Sequence, residues 1–171
     1  MYSIEHTCCF TGHRASGYPW GDDDSCPECL ALKERMKKEI TALCDNGITH
    51  FISGMANGAD LYFASIVIDI KKDYPDIILE AAIPCDTQSS RWNKIQKAEY
   101  NRILACCDMV TYVQHVYTRD CMMKRNKYLV DNAATVLACF NGTPGGTMNT
   151  LVYAKRNSRK IIIINPEEYY S

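Results

Sequence analysis

Three short stretches of this 171-residue chain join glycine to small polar and charged residues in a manner suited to holding an anion. They are Thr11-Gly12-His13-Arg14, Ser53-Gly54-Met55-Ala56-Asn57-Gly58-Ala59-Asp60 and Asn141-Gly142-Thr143-Pro144-Gly145-Gly146-Thr147. Glycine lets backbone N–H groups come close to a ligand, and a helix starting in such a loop offers the positive end of its dipole. The chemistry expected is recognition of a phosphate-bearing ligand. Arg14 supplies a fixed cation and His13 a group titrating near neutrality, suited to a phosphate or a nucleobase. The plainer reading of Arg14 is a surface partner for the acids at Asp22, Asp23 and Asp24.

Asp60 has two readings. An acid in a first helical turn stabilises the helix by about 0.3–1 kcal/mol. Beside a phosphate site it would instead hold a ribose hydroxyl or serve as a general base. Arg91-Trp92 opens a predicted helix, and Lys124-Arg125-Asn126-Lys127 lies along another, with Arg125 and Asn126 early enough in it to aim at the same loops. Trp92 is read as packing or as a platform for a base.

Standard nucleotide signatures are absent. The first strand is not followed by G-x-G-x-x-G, and no loop ends in Gly-Lys-Ser/Thr, which disfavours an ordinary dinucleotide dehydrogenase and a P-loop ATPase. Cys26-Pro27-Glu28-Cys29 has the spacing of a metal knuckle, but no second pair completes four ligands, so no metal site is assigned. A redox pair is expected where a strand feeds a helix, whereas this one follows a long polar loop. Two exposed thiols are the simpler expectation.

Positioning these loops falls to six predicted strands: Thr7–Phe10, Thr49–Ile52, Ile77–Ile83, Met109–Val113, Thr135–Phe140 and Lys160–Ile164. Their apolar runs are nearly continuous, as in strands covered on both faces, and helical stretches separate them. The fold predicted is α/β: a Rossmann-like, doubly wound, mostly parallel six-stranded sheet with helices on both faces, forming one domain over 1–171. Leu32, Met36, Ile40 and Leu43 recur at helical spacing before Asn46-Gly47. Leu61–Ile70 is apolar almost all round, so its outer face needs a cover, for which a second copy in a homodimer is the expectation. A third helix is predicted over Arg91–Cys106, a fourth over Asp120–Asn132 and a fifth from Thr147. Ala15–Glu28 is a long irregular connection, either a solvated loop or a lid over the site.

Composition narrows the classes. Nineteen Lys and Arg against twenty Asp and Glu leave a formal charge of −1, too little field for a polyanion such as DNA. Ten cysteines stand out, but the adjacent pairs Cys8-Cys9 and Cys106-Cys107 suit a reduced interior better than a disulfide framework. With no secretory pattern at the start and no aliphatic run longer than Ile161–Ile164, a cytoplasmic protein without a membrane span is expected.

Taken together, Phe10–Arg14 (FTGHR), Ile52–Asp60 (ISGMANGAD), Arg91-Trp92, Lys124–Asp131 (KRNKYLVD) and Gly142–Thr147 (GTPGGT) resemble the YpsA-like branch of the SLOG superfamily, which joins the DNA-processing protein A and LONELY GUY families. The resemblance spans nearly the whole chain. It implies a Rossmann-like sheet binding a nucleotide or nucleotide-derived ligand, with Gly54, Gly58 and Asp60 at the site. LONELY GUY phosphoribohydrolases carry PGGxGTxxE, whereas here Pro144-Gly145-Gly146 is followed by Thr147-Met148-Asn149 and Val152 stands at the glutamate position. That carboxylate is the group N-glycosidic cleavage requires.

The expectation is therefore a sensor or regulatory protein binding a nucleotide-derived ligand at the C-terminal sheet edge. The predicted contacts are Thr11, Gly12, His13, Arg14, Ser53, Gly54, Asn57, Gly58, Ala59, Asp60, Arg91, Arg125, Asn126, Gly142, Thr143, Gly145, Gly146 and Thr147. The alternatives are a nucleotide-processing enzyme using Asp60 with help from His13, and a nucleic-acid accessory module.

Overall fold

The computed structural model describes residues 2–170. Six strands, β1 (Thr7–Gly12), β2 (His50–Ser53), β3 (Ile78–Ile83), β4 (Met109–Tyr112), β5 (Thr135–Cys139) and β6 (Lys160–Ile164), form one sheet in the order β4-β3-β2-β1-β5-β6. Every pairing is parallel. Helices α1 (Pro27–Asp45), α2 (Ala59–Ile70) and α3 (Lys94–Cys106) cover one face; α4 (Cys121–Asp131) and α5 (Gly146–Arg156) cover the other. This is the Rossmann-like architecture expected, with a sheet that is wholly rather than mostly parallel.

Burial explains the unbroken apolar strands. In β1, Cys8 and Phe10 enter the core beneath α1 and α2, while Cys9 enters the opposite core with Val136 and Leu129. Alternate residues thus meet different helical layers, and both must be apolar. β1 continues past Phe10 because its register with β5 runs on to Gly12 opposite Cys139. β2 starts and ends one residue later than the pattern suggests.

In α1, Pro27 occupies the first turn and Leu32, Met36, Ile40 and Leu43 are buried along one stripe. Gly47, with φ +94°, follows the helix at the predicted stop. Helix α3 begins at Lys94 rather than Arg91. Asn93 caps it, accepting from Gln96 N–H at 2.9 Å while the Gln96 side chain accepts from Asn93 N–H at 3.1 Å. Arg91 and Trp92 therefore precede the helix.

Helix α2 is buried around most of its circumference, and its cover comes from within the chain: α1 and α3 flank it above the sheet. Its apolar character thus supplies no argument for a second copy. The Ala15–Glu28 connection is pinned on the same side. Tyr18 is buried, stacks on Trp20 with centroids 4.9 Å apart and donates its hydroxyl to Cys139 Sγ at 3.4 Å, while Trp20 Nε1 donates to Tyr62 at 3.2 Å. No helix of the described residues is long and apolar enough to cross a membrane.

Candidate functional site

The chain steps outward from β1 to β4, then returns through α4 to place β5 on the other side of β1. The loops leaving β1 and β5 diverge there, opening the crevice in which doubly wound sheets bind ligands. A cleft of about 270 Å³ occupies this point, lined by Phe10–Arg14, Ala56, Asp60, Met122, Arg125, Asn126, Leu129 and Thr143–Thr147. Of the predicted contacts, Thr11, Gly12, His13, Arg14, Asp60, Arg125, Asn126, Thr143, Gly145, Gly146 and Thr147 meet at it.

The remaining predicted contacts do other work. Arg91 is exposed and lies outside the cleft wall, and Trp92 packs edge-on against Tyr100 at 5.2 Å. Ser53 Oγ donates to the Asp60 carbonyl at 3.0 Å and accepts from Met55 N–H at 3.2 Å, so it fixes the turn after β2. Asn57, Gly58 and Ala59 zip that turn to the one after β1. Ala15 N–H donates to Asn57 O at 3.1 Å and Ala59 N–H to His13 O at 3.2 Å. Gly58 has φ +117°, and a Cβ there would run into the backbone of His13, Arg14 and Ala15. Asn57 and Gly58 face a separate hollow between the Ala15–Asp24 turn, α2 and α3. Gly142 also lies outside the cleft wall, as does Val152, which is 43% exposed on α5.

Arg125 is buried beneath the cleft floor. Its Nη1 donates to the Gly54 carbonyl, its Nε donates to Asn126 Oδ1 at 2.9 Å, and Gln88 Nε2 donates to the same carbonyl at 2.9 Å. Burial pulls the guanidinium down from its ordinary range, while the Asp60 charge pushes it back up. Asp60 Oδ2 accepts from Ala56 N–H at 3.1 Å. Burial raises the Asp60 carboxyl above the usual range, opposed by Arg125, the Ala56 N–H and Arg14. Asp60 thus ties down the loop before α2 and also borders the cleft.

The His13 imidazole has its pKa below the ordinary value. Burial lowers its affinity for a proton, and its Nε2 accepts from Asn141 N–H at 3.2 Å, which places the ring proton on Nδ1. The acids offered to Arg14 are engaged elsewhere: Asp24 pairs with Lys33 at 3.1 Å, Asp22 accepts from Asn57 and Gln96, and Asp23 accepts from Ser25. Across the cleft, α5 starts at Gly145-Gly146 with no side-chain cap, and Gly145, Gly146 and Thr147 line the opening. Among the described residues no group of three or more His, Cys, Asp or Glu could hold a metal.

Some wall residues escaped the sequence. Met122 and Leu129 are two of them; with the predicted Arg125 and Asn126 they fall at i, i+3, i+4 and i+7 on α4, a helical face that could have been read. Gln88 had no local signal. A second buried polar group was marked only by charges inside apolar strands. His50 Nε2 approaches Glu80 Oε2 at 2.7 Å, and Glu80 Oε1 accepts from Tyr128 at 2.6 Å and Thr111 at 2.7 Å. It lies away from the cleft wall. The cysteines near strand ends also stay out: Cys8, Cys9 and Cys139 are fully buried in the cores.

An all-parallel, doubly wound sheet with a glycine-lined crevice at the reversal of strand order defines a Rossmann-like α/β protein. Within that class the chain belongs to the SLOG superfamily: the YpsA family model, described as the YspA SLOG family, matches residues 8–168. It is 30% identical over 143 residues to the uncharacterized SPbeta prophage-derived protein YoqJ of Bacillus subtilis, covering 76% of this chain and 84% of that one. A UPF0398 protein of Bacillus pumilus is 26% identical over 133 residues, covering 77% and 72%. The fold also superposes on DNA processing protein A from Helicobacter pylori, solved for its single-stranded DNA binding mode. That match has a TM-score of 0.63 and 14% identity over 94% of this chain, which spans 65% of the Helicobacter chain.

Proposed function

We propose that the chain binds a nucleotide or nucleotide-derived ligand in the crevice between the β1 and β5 loops, as a sensor or regulatory protein. The observation that supports this best is the pairing of the uncapped α5 N-terminus with Arg14 and Arg125 around one cleft. Unsatisfied N–H groups at a helix start, facing two guanidinium-bearing side chains, suit a phosphate. Asp60 on the same wall suits a ribose hydroxyl, and His13 a base edge. The cleft sits at the small end of ligand sites, which run from about 300 Å³ upward, so a single nucleotide fits better than a dinucleotide.

Titration calorimetry of the protein with nucleoside monophosphates, ADP-ribose and NAD tests the reading, with a single-stranded oligonucleotide run in parallel. Saturable binding of a mononucleotide, weakened by Gly146→Ala, is expected. Binding confined to the oligonucleotide and steeply weakened by salt would replace this reading with a nucleic-acid one.

One observation favours a second reading. Asp60, buried, with a raised pKa and on the cleft wall, has the attributes of a general acid. Release of free base or sugar phosphate during the same incubations, abolished in Asp60→Asn, would identify an enzyme.

A further inference from the structure

Away from the crevice, the Cys26-Pro27-Glu28-Cys29 segment adopts a geometry its sequence context did not suggest. Cys26 is the N-cap of α1, Pro27 opens the first turn, and Cys26 Sγ accepts from Cys29 N–H at 3.4 Å. Cys26 is half-buried whereas Cys29 is fully buried, so one thiol is approachable and the other waits behind it. Cys26 borders a groove of about 410 Å³ walled by Pro19, Trp20, Asp23, Glu28 and Tyr170. The Tyr170 hydroxyl is buried and has no hydrogen-bond partner among the described residues.

We propose that Cys26 and Cys29 form a thiol–disulfide exchange site that takes a small-molecule disulfide in this groove. Cys26 sulfur attacks one sulfur of R–S–S–R; that bond breaks, and R–S⁻ leaves and takes up the proton Cys26 gave up. Cys29 then attacks Cys26 Sγ, its proton passing to the second R–S⁻ as that group departs. The protein dithiol is oxidised to one disulfide, and the small molecule is reduced to two thiols. Negative charge on Cys26 sulfur as it attacks meets the Cys29 N–H and the positive end of α1. Burial pushes the Cys29 thiol up to about 11, which keeps it protonated until the mixed disulfide forms. Asp23 and Glu28 on the wall select against an anionic disulfide.

The test treats the reduced, full-length protein with substoichiometric cystamine and maps the products by peptide mass spectrometry. The exposed Cys106 serves as an internal reference. The chain is expected to lose two hydrogen atoms and yield a linked Cys26–Cys29 peptide about tenfold faster than Cys106 gains an adduct. Oxidised glutathione should react more slowly than cystamine. Cys29→Ser should trap the cysteamine adduct on Cys26. Cys26→Ser, which keeps a good N-cap, should abolish the reaction while retaining the fold. Adducts on Cys106 appearing first, or Cys26 and Cys29 remaining unlinked in the unmutated chain, would overturn the proposal.

Discussion

Arg125 of α4 donates from Nη1 to the carbonyl of Gly54 at the end of β2, a bond between residues 71 positions apart that ties the two sides of the sheet's C-terminal edge together. It exists because residue 54 has no side chain. A Cβ there would stand 2.6 Å from Arg125 Nη1 and 2.7 Å from its Cζ. Gly54→Ala should therefore displace the guanidinium and cost about 1–3 kcal/mol, as overpacking does. Urea unfolding of Gly54→Ala, Arg125→Met and the double variant checks the cause. If the clash acts through Arg125, the double variant loses less than the sum of the two; strict additivity would contradict this.

Gly58 and Gly146 should separate fold from ligand. Gly58→Ala places a methyl 2.8 Å from His13 O at a positive φ, against backbone that has nowhere to go, and the protein should be severely destabilised. Around Gly146 a Cβ meets nothing within 4 Å, yet the residue lines the cleft. Gly146→Ala should leave the melting temperature unchanged or slightly raised while weakening nucleotide binding several-fold. Undiminished affinity in a well-folded Gly146→Ala protein would move the phosphate away from α5.

Acid stability should report on Glu80. Burial pushes its carboxyl up, but His50, Tyr128 and Thr111 more than offset this and leave it below the ordinary value of 4.5. A group with a depressed native pKa contributes stability that is complete above the unfolded value and is lost as pH falls through the native one. Tyr128→Phe and Thr111→Val each remove a hydrogen bond to the carboxylate and should shift the acid unfolding midpoint upward. Midpoints equal to that of the unmodified protein would mean the cluster stays intact without them.

Asp60 has the opposite sign. Its native pKa is raised above 3.8, so its stabilising contribution is complete below that value and is lost as pH rises through the native one. Asp60→Asn keeps an oxygen for the Ala56 N–H and removes the buried charge. At pH 7 it should be as stable as the unmodified protein or more so, by thermal melting. A marked loss of stability would show that the carboxylate charge is needed to hold Arg125.

The sequence by itself determined the alternation of strands and helices, the parallel sheet and the three small-residue junctions. These are local consequences of two-sided burial, helical periodicity and turn chemistry, and they also carry the SLOG resemblance. Assigning roles within the junctions required the third dimension. Gly12, Gly54 and Gly58 look alike in sequence, but Gly58 is needed where two loops abut and Gly54 where a guanidinium sits, whereas the open backbone belongs to Gly145 and Gly146. Arg91 precedes α3 rather than opening it because a capping box at Asn93 starts the helix at Lys94. The apolar girth of α2 pointed to a partner subunit, yet α1 and α3 provide its cover, since periodicity registers that a face is buried but not by what. Cys26 and Cys29 differ only in the folded chain: their spacing is the same in any conformation, and the start of α1 between a surface groove and the core makes one approachable and the other buried.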